Sequence, residues 1–468
     1  MFSASNATIS RPEAVFQPPT RRLAQYFGWF SRALLLIGSA VIAGTMVGQG
    51  NWLYVAVLAA AVFAMLWPIE VALGLYAFLL PFDSVSVLQQ GSSGTTLNWV
   101  VGALAAMALL GTGIVKRRLN FPHGAAVLWS SLLLWSMLTA VWALEPEQAR
   151  HQLPTNIALV LLYVLAVSWR VTKKQFDVLT SLAIAGGCVA SLLVLYLFVT
   201  GVTYRNIHRA SLLVAGQETN PDYIALLLLL PLSLSIAGFI AASGRFLKIA
   251  SFSITAVIGG AIFLSMSRTA LVSVAVMLVL FSIRLGLNRR ILGIASALLV
   301  VLAAMPANFF SRIQQAASTG GDGRLDIWRA GLVALKQYWL TGSGLNNFWV
   351  AYRDYAGNAS VFRGYSRGSH NTYLNVAVEL GIIGFLLMSA ALVSQLRSVR
   401  RLRAMLGELP IRVVALEAAC WATLAFGFFG DILWTKPFWL NFSLLFMAVR
   451  LAEQSFEATP PRSGAVVE

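Results

Sequence analysis

Two stretches set the terms for any fold: AAVLWSSLLLWSMLTAVWAL at 125–144 and LTSLAIAGGCVASLLVLYLFV at 179–199. Neither contains a charge. About 20 such residues, at 1.5 Å rise each, match a hydrocarbon layer of roughly 30 Å. Backbone groups in lipid have no water to bond, so each run must satisfy its own as a helix. Composition extends this to the whole chain, which is 58% hydrophobic and only 11% charged, with a mean hydropathy of +0.75. A soluble domain cannot hide that much apolar surface, so the class is all-α and polytopic, with about 12–14 crossings.

Apolar segments are expected near 33–49, 52–67, 69–82, 97–115, 124–143, 154–169, 177–199, 222–241, 248–265, 269–284, 291–305, 372–394, 411–429 and 437–450. They divide the chain into a polar tail at 1–32, a membrane domain at 33–450 and a second tail at 451–468. The N-terminal stretch is polar for too long to resemble a cleaved signal. Basic residues cluster at 116–118, 173–174, 245–248, 289–290 and 397–403, all on the side of the N-terminal tail. The positive-inside rule makes that side cytoplasmic. Most of the net charge of +16 is thereby explained as orientation, and a nucleic-acid role is not expected. The two cysteines, Cys188 and Cys420, lie within apolar runs and form neither a disulfide framework nor a metal-type spacing.

The opposite face carries the connection 200–221 and one long loop at about 306–370. Within that loop, GRLDIWRAGLVALKQYWL at 323–340 places apolar residues at 325, 328, 332, 335 and 339, one helical face. Its aromatic residues suit the membrane interface, and the loop is expected to lie as a lid on the outer end of the bundle.

Candidate chemistry gathers on this outer face. Arg268 lies 20 residues after Lys248 and 16 before Arg284, which places it at the outer end of a helical hairpin. It is either an end-of-helix topology residue or a functional cation facing the bundle interior. Arg205 and Arg209 stand four apart, on one side of a helix if one forms there. Guanidinium forks bind phosphate in pairs of bonds, so two or three arginines around one cavity suit a diphosphate. Asn220-Pro221-Asp222 has the chemistry of a helix start. His370 precedes another, with Ser369 or Asn371 as its cap; it is either an interfacial histidine or a neutral imidazole able to act as general base. Glu379 projects to the other side of that helix, and Asp431 with Lys436 is expected to form an exposed pair.

The chain has no paired metal-binding aspartates, no HExxH and no phosphate-binding glycine loop, so no metal and no cofactor is expected. Chemistry on the outer face also lies away from cytoplasmic nucleotides. That favours a donor delivered already activated in the membrane, a polyprenyl diphosphate carrying a sugar.

SRTALVSVAV (267–276), GRLDIWRAGLVALKQYWLTGSGLNNF (323–348) and SHNTYLNVAVELGIIG (369–384) occur in that order. Together they resemble the O-antigen ligase and O-antigen polymerase superfamily of bacterial envelopes. The resemblance covers 200–468; residues 1–200 match it only in topology. It implies a periplasm-facing transferase of the inner membrane that moves a glycan from undecaprenyl diphosphate to an acceptor hydroxyl, without metal and with inversion. The acceptor would be the lipid A core in a ligase, or a second lipid-linked glycan in a polymerase. By the same resemblance His370 takes the position of the base and Arg268 that of a diphosphate ligand. Arg209 takes the second diphosphate position, with Arg205 as its alternative and Arg324 as an assisting group. The rival from another class is a transporter of polysaccharide or lipid. That would call for broken midplane helices in two matching halves, and the halves here do not match.

Overall fold

The computed structural model describes residues 69–86, 96–115, 117, 119–120, 124–206, 209–214, 216–286, 289–290, 292–293, 296, 314, 323–358 and 364–457. The expected segments 33–49, 52–67 and 291–305 fall wholly or mostly outside them.

Among the described residues the chain is helical almost throughout. The helices are α1 (Ile69–Leu79), α2 (Leu97–Val115), α3 (Ala125–Thr139), α4 (Pro146–Ser168), α5 (Lys173–Val199), α6 (Pro221–Ala241), α7 (Arg245–Leu264), α8 (Arg268–Leu285), α9 (Arg324–Tyr338), α10 (Phe348–Tyr355), α11 (Thr372–Leu406), α12 (Ile411–Phe426) and α13 (Lys436–Glu457). Six of them, α4 to α8 and α11, are long and apolar enough to cross a membrane. This is a multi-pass, all-α membrane protein. Among the described residues its strands are a two-residue antiparallel pair, β1 (Leu213–Val214) and β2 (Gln217–Glu218), in the connection before α6.

Helix α6 is the hub. Its LLLLLPLSLS run is buried on every side, as an apolar helix without a polar face should be. It packs against α5, α7, α8 and α12. Close approach needs small residues: a Cβ on Gly187 of α5 would lie 2.4 Å from Pro231 of α6, and one on Gly186 would lie 2.2 Å from the Phe78 carbonyl oxygen of α1. Around this hub α8 packs against α12, and α3 against α11.

Helix α11 is not continuous. Gly381 sits at φ 65°, ψ −169°, which breaks the ladder and frees carbonyls. The segment 339–344 and α3 satisfy them. Ser343 N donates to the Val378 carbonyl at 2.9 Å, Gly344 N to that of Glu379 at 2.9 Å, and Trp135 Nε1 to that of Leu380 at 2.8 Å. In return Ile382 N donates to the Trp339 carbonyl at 2.7 Å. The clasp is tight: a Cβ on Gly381 would meet the Leu340 oxygen at 2.3 Å.

The loop helix α9 forms where periodicity places it. The residues it buries in the protein are Asp326, Ile327, Ala330, Gly331 and Ala334, while Leu325, Leu332 and Trp339 face outward. The small residues let α9 approach closely, since a Cβ on Gly331 would lie 3.0 Å from both Leu374 and Phe348. The large apolar residues are left for the membrane interface.

Candidate functional site

The connection 200–221 is stitched to the α7–α8 turn. Ala210 N donates to the Leu264 carbonyl at 2.8 Å, and Arg209 Nε donates to the Ser265 carbonyl at 2.8 Å. Arg209 is buried and also donates from Nη2 to Asp222 Oδ1 at 2.8 Å. Asn220 caps α6 by accepting from Asp222 N at 2.8 Å, as its position in the sequence implies. The structure therefore separates the two arginines of this connection. No helix spans 205–209: Arg205 adopts φ 46° in a short 3-10 turn, is exposed, and stacks over the Tyr204 ring at 5.1 Å. The segment turns back on itself, Tyr204 N donating to the Arg209 carbonyl at 2.9 Å, so the two side chains do not share a helical face.

Arg268 is the first residue of α8, directly after Ser267, whose hydroxyl accepts from Ala270 N at 3.3 Å. It is half-buried and lies three residues beyond the carbonyl that holds Arg209. Ser265 and Ser267 are both fully enclosed, so this turn is part of the interior.

His370 occupies a left-handed backbone conformation, φ 48°, between two pinned neighbours. Asn371 is the cap of α11, accepting from Tyr373 N and Leu374 N at 3.0 Å each. Ser369 is buried; its hydroxyl donates to Asp431 Oδ1 at 2.9 Å, and its carbonyl accepts from Trp328 Nε1 of α9 at 3.0 Å. A non-glycine residue in this region costs on the order of 1–2 kcal/mol, and the bonds on both sides hold it there.

The surroundings of His370 lower its affinity for a proton. His370 is exposed at the surface, yet partial loss of water around the ring is the largest cause, followed by the charges of Arg324 and Arg367, with Asp222 opposing them. The imidazole is thus held below its ordinary value of 6.5 and is neutral at neutral pH. Arg324 opens α9, half-buried, with its guanidinium 5.9 Å from the Phe429 ring. Asp222 is the hinge of the site: it pairs with Arg209 and its charge reaches His370.

Asp431 and Lys436 do not form the expected exposed pair. Asp431 turns to Ser369; the residue keeps an exposed surface, but loss of water around its carboxyl raises it to about 6, the Ser369 bond opposing. Lys436 instead binds buried Asp83, with Thr96 bonded to both. The partners lie 62 and 353 residues away, beyond what local sequence can indicate. Glu379 is buried and accepts from Phe348 N at 3.0 Å, so it caps α10. Beside it a cavity of about 230 Å³ is lined by Gln152, Trp349, Asn375, Glu379, Asp431 and Trp434 among others.

Residues 252–389 match the family model described as O-antigen ligase. The chain carries an O-antigen ligase domain. No curated protein matches the chain. The ligase domain covers most of α7, all of α8 to α10 and the first half of α11, and so contains Arg268, Arg324, His370 and Glu379. Arg209, Asp222 and Asp431 lie outside it and are brought in by the fold. The protein is accordingly an enzyme of the ligase or glycosyltransferase type, working in polysaccharide assembly.

Proposed function

We propose that this ligase transfers a glycan from undecaprenyl diphosphate to an acceptor hydroxyl at the periplasmic face of the inner membrane, by one inverting displacement and without a metal. Arg209 and Arg268 hold the diphosphate and stabilise the charge that develops as the bond from the anomeric carbon to the diphosphate oxygen breaks. His370 accepts the proton of the attacking hydroxyl as that oxygen bonds to the anomeric carbon. Undecaprenyl diphosphate leaves. Arg324 adds positive charge near the leaving group. Helices α9 and α10 cover the sugars and keep out water that would hydrolyse the donor. The acceptor is the lipid A core; a second lipid-linked glycan in its place would make the same chemistry a polymerase.

The observation that carries this reading is the double influence of Asp222. One carboxylate pairs with the buried Arg209 and acts electrostatically on His370, which supports grouping the guanidinium fork and the imidazole around one charge. Tryptophans, amides and carboxylates line the neighbouring cavity, a mixture suited to sugar hydroxyls and ring faces.

The test uses purified full-length protein in detergent with glycan-loaded undecaprenyl diphosphate and lipid A core. Product is expected without added nucleotide or divalent metal. His370→Ala is expected to lose roughly 10²–10⁴ in rate while still binding donor. Arg268→Ala and Arg209→Ala are expected to weaken donor binding. A His370→Ala variant with wild-type turnover would overturn the base assignment. Product formed with lipid-linked glycan but not with lipid A core would identify a polymerase.

A further inference from the structure

The far end of the molecule holds a second cationic hollow. A cavity of about 920 Å³ opens between α8, α11 and α12, at the ends of α8 and α11 away from His370. Its lining includes Arg284, Arg397, Arg400 and Arg403, with Glu417 as the one acidic group. Helices α8 and α12 pack closely on each other while α11 stands off from α12, which is why the space exists.

The four arginines are not equivalent. Arg284 of α8 makes a two-pronged pair with buried Glu417 of α12, Nε to Oε2 at 2.9 Å and Nη2 to Oε1 at 2.5 Å. That pair is a neutral, rigid wall. Arg397, Arg400 and Arg403 recur every three residues on α11 and are exposed, and among the described residues their side chains make no hydrogen bond or ion pair. Over six residues they span about 9 Å of helix.

The apolar lining has a direction. Leu280 and Ile283 precede Arg284 on α8, and Val393 and Leu396 precede Arg397 on α11. Trp421 of α12 lies deeper than Glu417 in the same sense. Ile283, Val393 and Trp421 are among the exposed large hydrophobic residues. The hollow is therefore cationic at the membrane surface and apolar toward the membrane interior, the polarity of a phospholipid.

We infer that the hollow between α8, α11 and α12 binds a two-phosphate anionic glycerophospholipid of the diphosphatidylglycerol class. Its phosphates sit on Arg397, Arg400 and Arg403, and its acyl chains run along Leu280, Ile283, Val393, Leu396 and Trp421. Guanidinium forks match phosphate oxygens, and three of them along about 9 Å suit two phosphates better than one. A purely topological role for these arginines would require neither the cavity nor the apolar walls. The site stands apart from glycan transfer and does not rest on it.

The experiment is native mass spectrometry of the full-length protein in detergent, titrated with diphosphatidylglycerol, phosphatidylcholine or inorganic phosphate. Wild type is expected to retain diphosphatidylglycerol and to bind neither of the others. The triple variant Arg397→Gln, Arg400→Gln, Arg403→Gln is expected to bind it more weakly by roughly fivefold per arginine, the factor for about 1 kcal/mol per cation at an anionic lipid. All three side chains are exposed, so the variant is expected to keep the wild-type melting temperature in lipid-free detergent. Arg245→Gln with Lys248→Gln, at the same end but outside the cavity, is expected to bind as wild type. Equal binding by the triple variant overturns the inference. So does equal loss in the Arg245/Lys248 variant, which would mean general attraction to the basic surface, and so does retention of phosphatidylcholine or free phosphate.

Discussion

At the scale of single residues the site is a balance of charges around one imidazole. Loss of water, then Arg324 and Arg367, hold His370 below its ordinary pKa of 6.5, and Asp222 opposes. In the proposed mechanism His370 works only when unprotonated, so activity is expected above its pKa and is expected to be lost as pH falls through it. The acid limb of kcat/KM is expected below 6.5 in the wild type. Arg324→Gln removes one depressing charge, so the limb is expected to move up toward 6.5; an unmoved limb would show that His370 is not the titrating base. Asp431 carries the opposite sign. Its carboxyl is raised to about 6, so the folded state favours its neutral form. Its contribution to stability is full below the ordinary carboxyl range and lost as pH rises through 6. Asp431→Asn is expected to flatten the thermal midpoint between about pH 4 and 6, where the wild type declines.

Elements were legible in the sequence to the degree that their signals are local. Apolar runs mark α2, α5 and α6 within a few residues because lipid admits no other backbone solution. Helix α4 begins at Pro146, well before its apolar run, because PEQARHQL is a good helix start that hydropathy does not register. The break in α11 was not legible, since glycine is common in membrane helices and Gly381 is special only through its partner loop. Likewise Arg268 and His370 stand in recognisable motifs. The pairing of Arg209 with Asp222 depends on how a two-residue hairpin folds back, and Ser369 with Asp431 on helix packing. The clasp at Gly381 makes a sharp prediction. Any Cβ there is strained by φ 65° and meets the Leu340 oxygen at 2.3 Å. Gly381→Ala is expected to destabilise by about 1–3 kcal/mol. It is also expected to loosen the 339–344 segment, measured as faster hydrogen exchange at Ser343 and Gly344. Protection equal to wild type would show that the helix break does not anchor the lid.

Across the whole molecule α11 joins the two ends. It begins at the Asn371 cap beside His370 and ends in RSVRRLRAML, beside the arginine-lined cavity. Its 35 residues correspond to roughly 50 Å at helical rise, against a hydrocarbon core of about 30 Å. The surplus carries the basic segment clear of the membrane, and four arginines within 397–401 and 403 cannot rest in lipid. Crossing by α11 therefore puts Ser366 and Arg401, both exposed, on opposite sides, and the proposed orientation makes the basic side the cytoplasmic one. The chain has only two cysteines, so a background with Cys188→Ser and Cys420→Ser can report single labelled positions. Ser366→Cys is expected to react with a membrane-impermeant maleimide in cells whose inner membrane is intact, and Arg401→Cys only after that membrane is opened. Labelling of both from one side would deny that α11 crosses. It would also remove the basis for placing His370 at one face and the cationic hollow at the other.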